Sequence, residues 1–287
     1  MVALLLAGPA AGQGSVFLLQ KCADPSFLGE DLALDYCDRA IKAGDLSQQS
    51  LALAYQLRGS LWTRKAQNAR ALADFTSAIE HAPNNSSLYI LRANVRRAMG
   101  DGAGATADLD QALRVEPGQP AAWLARGVAR VQEGRHDEAI ADLAEALRLY
   151  SASRRGQSIE AAAAHFWIGI VHFRKADYAA AIRSCGEAIT PELRQPEPFM
   201  CRAISYARSQ DPDRAIADLT EAVRIAPTDL QARDLRADLY AQKGNVQAAL
   251  ADLDAMLKIA SPDLHPSIQA KRANLLQQAN AKPAAPR

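Results

Sequence analysis

The feature that most constrains this chain is a repeat of 34 residues. An Arg followed by Gly or Ala recurs at Arg58-Gly59, Arg92-Ala93 and Arg126-Gly127, and again at Arg202-Ala203 and Arg236-Ala237; within each group the spacing is 34. Twelve residues after each small residue stands an Ala (Ala71, Ala105, Ala139, Ala215, Ala249), and four further on a large apolar residue (Phe75, Leu109, Leu143, Leu219, Leu253). Three residues later comes Ala78, Ala112, Ala146 or Ala222, with Met256 as the exception. Between the two groups, Gly169, Ala181, Cys185 and Ala188 keep the same frame, displaced by eight extra residues. The apolar spacing inside each unit, as in AIADLAEAL from Ala139, is helical. Ala and Leu dominate the apolar content and aromatics make up only 6%, which favours closely packed helices over strands. A single helical hairpin cannot bury both of its faces, so consecutive units must stack.

This frame resembles the tetratricopeptide repeat, whose hairpins use small residues where two helices cross, a large apolar residue between them and a Pro at the exit. Pro83, Pro117 and Pro227 close three of the units. The resemblance implies an all-α chain, an α-solenoid of antiparallel helical hairpins wound as a superhelix. Its repeats are expected at 52–85, 86–119, 120–153, 162–195, 196–229 and 230–263, with an insertion at 154–161. A degenerate hairpin is expected at 14–47, a capping helix at 264–280 and a disordered tail at 281–287. Gly100, Gly134 and Gly244 fall at the expected hairpin turns, where a positive φ is cheap for glycine.

The repeated Arg has a repeated acid sixteen residues later: Arg58 with Asp74, Arg92 with Asp108, Arg126 with Asp142, Arg202 with Asp218 and Arg236 with Asp252. The midpoint of each pair falls at the turn, so both partners lie at one height in an antiparallel hairpin. Where the Arg is missing the acid is missing too: Ile168 goes with Ser184, and Gln20 with Tyr36. A structural ladder within each repeat follows, against the alternatives of independently solvated charges or an arginine row offered to an anion. The two units without a rung carry Cys37 and Cys185 at the large apolar position. With Cys22 and Cys201 they form two local pairs, 15 and 16 residues apart. Two disulfides, Cys22–Cys37 and Cys185–Cys201, are expected; four buried thiols are the alternative.

In the resembled family the first helices line a concave face that takes ligands. Here that face is polar in the first repeat (Gln56, Ser60, Arg64) and acidic in the last (Asp234, Asp238). Between them it is apolar. The expected partner-binding residues are Leu124, Val128, Val131, Phe166, Ile170, Phe173, Met200 and Ile204, with Arg174 and Arg208 at the rim. An exposed apolar stretch of this extent marks an interaction surface, unless the twist of the stack buries it. The expected function is a scaffold or adaptor that binds a peptide or helix of a protein partner. Two alternatives are an accessory subunit of an envelope-biogenesis or secretion complex, and an enzyme with an active site in the groove.

Other chemistry finds no foothold. The net charge is +1 with signs interspersed, unlike a nucleic-acid footprint. No stretch approaches the roughly 20 apolar residues of a membrane span. His165 and His172 are seven apart with no ligand at helical spacing between them, so no metal site is expected. The glycines at Gly100, Gly102 and Gly104 lack the Lys-Ser/Thr of a phosphate loop, no GxSxG elbow occurs, and no cofactor or catalytic residue is expected. Residues 1–12, with an apolar run over Val2–Ala7 and then small residues, read as the remnant of a secretory signal. That reading and the cysteine pairs predict a periplasmic or secreted protein, with a cytoplasmic location as the alternative.

Overall fold

In a computed structural model of the protein, residues 13–152, 159–190 and 195–281 are described. The expected signal remnant, most of the expected insertion and all but the first residue of the tail lie outside the described residues. The described chain is helical throughout. It divides into two units, 1–149 and 150–287, with the boundary in the last turn of one helix.

The first unit opens with α1 (Gln13–Cys22), a short α2 (Pro25–Leu28) and α3 (Glu30–Ala43). Three hairpins follow: α4 (Gln48–Arg64) with α5 (Asn68–His81), α6 (Ser86–Ala98) with α7 (Gly102–Val115), and α8 (Pro120–Gln132) with α9 (His136–Ala152). The second unit holds α10 (Ile159–Arg174) with α11 (Tyr178–Glu187), α12 (Glu197–Arg208) with α13 (Pro212–Ile225), and α14 (Leu230–Gln242) with α15 (Val246–Ile259). A 3₁₀ turn at Pro262–Leu264 leads into α16 (His265–Ala281). Each unit is thus a stack of antiparallel helical hairpins in chain order.

Packing at the hairpin crossings explains the repeated small residues. Phe75, Leu109, Leu143, Leu219 and Leu253 are buried between the two helices of their hairpins, with Ala71, Ala105, Ala139, Ala215 and Ala249 beneath them. A Cβ on Gly59 would lie 3.0 Å from the Phe75 ring, and one on Gly127 would lie 2.7 Å from Leu143. These contacts hold the first helix close to the second.

Every hairpin turn has one residue in the left-handed region. It is glycine at Gly100, Gly134 and Gly244, but Ala66 (φ 55°), Ala176 (φ 59°) and Gln210 (φ 60°) take the same place in the others. The next residue caps the second helix: Asp101, Asp177, Asp211 and Asn245 accept hydrogen bonds from the backbone N–H of Gly104, Ala180, Arg214 and Ala248. A side-chain cap satisfies an amide that the helix leaves without a partner. Turn and cap together fix the length of each hairpin, and so keep the ladder in register.

Candidate functional site

The arginine on the first helix of each hairpin grips its aspartate through two parallel bonds. Arg58 donates Nε and Nη2 to Asp74 (2.9 and 2.6 Å), Arg92 to Asp108 (2.9 and 2.7 Å), and Arg126 to Asp142 (2.9 and 2.8 Å). Arg202 with Asp218 (2.8 and 2.7 Å) and Arg236 with Asp252 (2.8 and 2.7 Å) repeat the geometry. The five aspartates are buried. Their hydrogen bonds outweigh burial and hold each arginine's pKa above its ordinary value.

The remaining Nη1 points to the preceding hairpin. It donates to Asp38 from Arg58, to Thr76 from Arg92, to Asp110 from Arg126 and to Thr220 from Arg236. The sequence reading, confined to pairs within a repeat, missed this second arm. Its signal was present: Thr76, Asp110 and Thr220 each stand two residues after a ladder acid. Also missed was the aromatic residue three before the Arg. Tyr55, Tyr89, Trp123 and Phe199 place their rings 4.8–6.0 Å from the guanidinium carbon. Arg58, Arg92 and Arg126 are therefore engaged at once by their aspartate, by the preceding hairpin and by an aromatic ring.

Two disulfides are present, Cys22–Cys37 and Cys185–Cys201, with Cα separations of 4.9 and 6.0 Å. The second joins α11 to α12, where the ladder's second arm is lacking. Arg202 has Gly186 where its counterparts have Thr76, Asp110 and Thr220. The disulfide bridges those two helices instead. Gly169 of α10 presses against the same spot, because a Cβ there would overlap the Cys185 sulfur and lie 3.4 Å from that of Cys201.

The apolar face needs a correction. Val131 is fully buried (0% exposed), and Val128 and Met200 are 8% exposed. They are packed into the interior and are not available to a ligand. Leu124, in the first unit, is half-buried. In the second unit Phe166, Ile170, Phe173 and Ile204 are half-buried, and Arg174 and Arg208 are exposed. Phe166 meets Trp167 edge-on at 5.5 Å, and Phe173 leans on Tyr178 at 5.7 Å. Phe166 and Trp167 also line a cleft of about 290 Å³ with Ile159, Ala162, Ala163 and Pro198, between α10 and the start of α12. This cleft and the neighbouring Ile170 and Ile204 form the candidate site.

Two groups of the second unit, His165 and Tyr150, titrate away from their ordinary values. Burial lowers the pKa of His165, with Glu187 pulling weakly the other way. Burial, reinforced by Glu160, pushes the Tyr150 hydroxyl up to about 12. At the far end Lys271 of α16 reaches Asp234 and Asp238 at 2.5 and 2.8 Å, so the acidic positions of the last repeat are partly neutralised. Among the described residues no cluster of His, Cys, Asp or Glu is arranged to hold a metal ion, and no helix is long and apolar enough to cross a membrane.

A family model described as tetratricopeptide repeat matches residues 90–154 and 202–264. The fourth hairpin, with its missing rung, falls largely between the two matches. A comparison with curated proteins finds no match. Among solved structures, a tetratricopeptide repeat protein from Parabacteroides merdae is similar, with a TM-score of 0.67, 20% identity, and coverage of 92% of this chain and 100% of that one. PilW, described as a widely conserved type IV pilus biogenesis factor, gives a TM-score of 0.67 at 16% identity, covering 76% of this chain and 98% of its own. YrrB, described as having an unusual peptide-binding site, gives 0.51 at 23% identity, covering 69% and 97%. At these identities the likeness is one of fold.

Proposed function

Because this chain belongs to the tetratricopeptide-repeat family, we propose that it holds a partner protein and does not itself catalyse a reaction. The fold is that of a protein-interaction scaffold. The partner contributes an apolar helix or extended segment, received along α10 and α12 by Phe166, Trp167, Ile170, Phe173 and Ile204, with Arg174 and Arg208 at the rim.

The observation that carries this reading is the apolar cleft itself. Phe166, Ile170 and Ile204 keep part of their surface in water although α10 and α12 pack together, and large rings at a cleft are the usual anchors of a protein interface. Leu124 adds a half-buried apolar position in the first unit.

A second reading, as an accessory subunit in envelope assembly, draws on two observations. The disulfides suit an oxidising compartment, and the fold is similar to that of a pilus biogenesis factor. It specifies where the scaffold works and leaves the mode of binding unchanged.

The test uses the wild-type chain and the Phe166→Asp/Phe173→Asp variant as baits, with a melting curve for each. Loss of a wild-type partner with an unchanged melt is the expected result. Equal capture by both chains overturns the reading. A variant that unfolds shows the two rings to be core, and also overturns it.

A further inference from the structure

The junctions between successive hairpins within each unit are tied by polar side chains, with one exception. Arg58 reaches Asp38 across α3 and α4, Arg92 reaches Thr76 across α5 and α6, and Arg126 reaches Asp110 across α7 and α8. Arg236 ties α14 to Thr220 of α13, and Arg272 ties the cap helix α16 to Asp254 of α15. Among the described residues no side-chain hydrogen bond or ion pair joins α11 to α12. Beyond apolar packing, the Cys185–Cys201 bond is what holds that junction.

The same bond lies one helical turn from the apolar cleft on both of its walls. Phe166 precedes Gly169 by three residues on α10, and Pro198 precedes Cys201 by three on α12. Residues three apart on a helix are neighbours on one face. Gly169 lets the Cys185 sulfur rest against α10, so the two sulfurs can part only on the α12 side. Cys201 is 7% exposed, whereas Cys22, Cys37 and Cys185 are 1% exposed or less. A soluble thiol therefore reaches this bond before the one between Cys22 and Cys37.

We propose that Cys185–Cys201 is a redox latch on the α10–α12 cleft. Reduction by a small dithiol frees the first turn of α12 from α11, draws the Pro198 wall away from Phe166 and Trp167, and weakens the cleft's hold on an apolar segment. The latch rests on the reading of that cleft as the binding site and adds its regulation. A thiolate of the dithiol attacks the Cys201 sulfur, the S–S bond breaks, and Cys185 leaves as a thiolate and takes up a proton. The second thiol of the reductant then displaces Cys201 from the mixed disulfide. Two electrons pass to the protein, which gains two thiols, and the dithiol becomes a disulfide. The Arg202–Asp218 rung is untouched, so the hairpins stay folded.

The test treats the full oxidised chain with dithiothreitol in steps. Free thiols are alkylated and located by mass spectrometry, and amide exchange over 197–203 is followed. Acrylamide quenching of Trp167 is read in a Trp62→Phe/Trp123→Phe chain. Cys185 and Cys201 should be alkylated before Cys22 and Cys37. With that bond alone open, exchange over 197–203 should rise about a hundredfold, the scale of the closure entropy that a bridge over such a loop removes. Exchange in α14 and α15 should stay as it was, and quenching of Trp167 should increase. Gly186→Thr offers Arg202 the acceptor that Thr76 and Thr220 supply elsewhere, in a space where a Cβ lies 3.5 Å from Arg202 Nη1. It should keep 197–203 protected after reduction, and Gly186→Ala should not. The latch is overturned by first alkylation at Cys22 and Cys37, by unchanged exchange over 197–203, by collapse of protection throughout the second unit, or by equal behaviour of the Thr and Ala chains. None of these readouts needs a partner. Capture of a partner by neither the oxidised nor the reduced chain counts against the cleft as a binding site, whereas equal capture by both overturns the latch.

Discussion

Replacing Arg202 by Met separates a ladder that merely coexists with the fold from one that the fold needs. Asp218 is 8% exposed at its side chain and accepts both of its ion-pair bonds from Arg202. Removing that guanidinium leaves a buried carboxylate with no ion-pair partner among the described residues, which costs about 3 kcal/mol once the partial exposure of the site is allowed for. Arg92→Met is the internal control. Asp108 loses two bonds there, yet Arg96 still lies 3.1 Å away, so the loss is about half as large, on the order of 1.5 kcal/mol. The double change Arg202→Met/Asp218→Leu should recover to within about 1 kcal/mol of wild type, because an apolar pair replaces a desolvated ionic one. The chain contains a comparable replacement of its own, since Ile168 and Ser184 occupy the rung in the fourth hairpin. Because a stacked-repeat protein can open locally, the assay is native-state hydrogen exchange at α12 and α13 for the Arg202 variants and at α6 and α7 for Arg92→Met. Equal costs for the two single variants, or a double variant no better than Arg202→Met, would refute the reasoning.

Three further sets of changes test the turns, the crossing and the half-buried imidazole of His165. Ala66→Gly, Ala176→Gly and Gln210→Gly each relieve a positive φ and should each stabilise by about 0.5 kcal/mol, the left-handed strain less the added freedom of the unfolded chain; Gly100→Ala should do the reverse, read by urea melts. Gly169→Ala should destabilise the second unit by about 2 kcal/mol, because the new methyl overlaps the Cys185 sulfur and sits 3.1 Å from a backbone nitrogen that cannot move aside; an unchanged melting temperature refutes this. His165 has a lowered folded pKa, so the unfolded chain takes up the proton first. Stability is therefore complete above the ordinary histidine range and falls as pH drops through about 6.5 towards the folded value; His165→Gln should flatten that slope in melts between pH 8 and 5.

The fold was legible because its signal is translational. A small residue, an Ala and a large apolar residue return at fixed intervals, and helical hairpins are the structures in which those intervals become one crossing. The spacing of sixteen between Arg and Asp was readable for the same reason, since it needs only the turn between two neighbouring helices. Apart from the aromatic residue three before the Arg, what escaped involves contacts whose partners lie in different hairpins. The second arm of Arg58, Arg92, Arg126 and Arg236 reaches the preceding hairpin, and its acceptor is Asp38, Thr76, Asp110 and Thr220 in turn, with Gly186 at that place before Arg202. Val131 looked like a groove residue from its helical position, but whether such a residue faces water depends on the rotation between successive hairpins. Arg272 of α16 likewise pairs with Asp254 of α15 at 2.7 Å and helps seat the cap helix.

The fourth hairpin is where these threads meet. It lacks the Arg and the Asp, it has Gly186 where a cross-hairpin acceptor stands elsewhere, and it falls largely outside the residues matched by the family model. An Arg–Asp rung needs room for a guanidinium and a dry site for its acid; Ile168 and Ser184 need neither. Giving up the rung makes α10 the most apolar first helix of the chain, with Phe166, Trp167, Ile168 and Ile170 in five residues. It also removes the polar tie to the next hairpin, which the Cys185–Cys201 bond restores in covalent form. A helix rich in exposed-edge apolar residues is costly to keep in water and tolerated where something covers it. The combination therefore argues that α10 departs from the repeat for binding, with the disulfide holding α11 and α12 in place while it does so. A chain with Ile168→Arg/Ser184→Asp and both Cys185 and Cys201 changed to Ala restores the common rung. It should fold, and should lose the partner. If it keeps the partner at full affinity, the departure of the fourth hairpin is structural drift and the cleft is not the binding site.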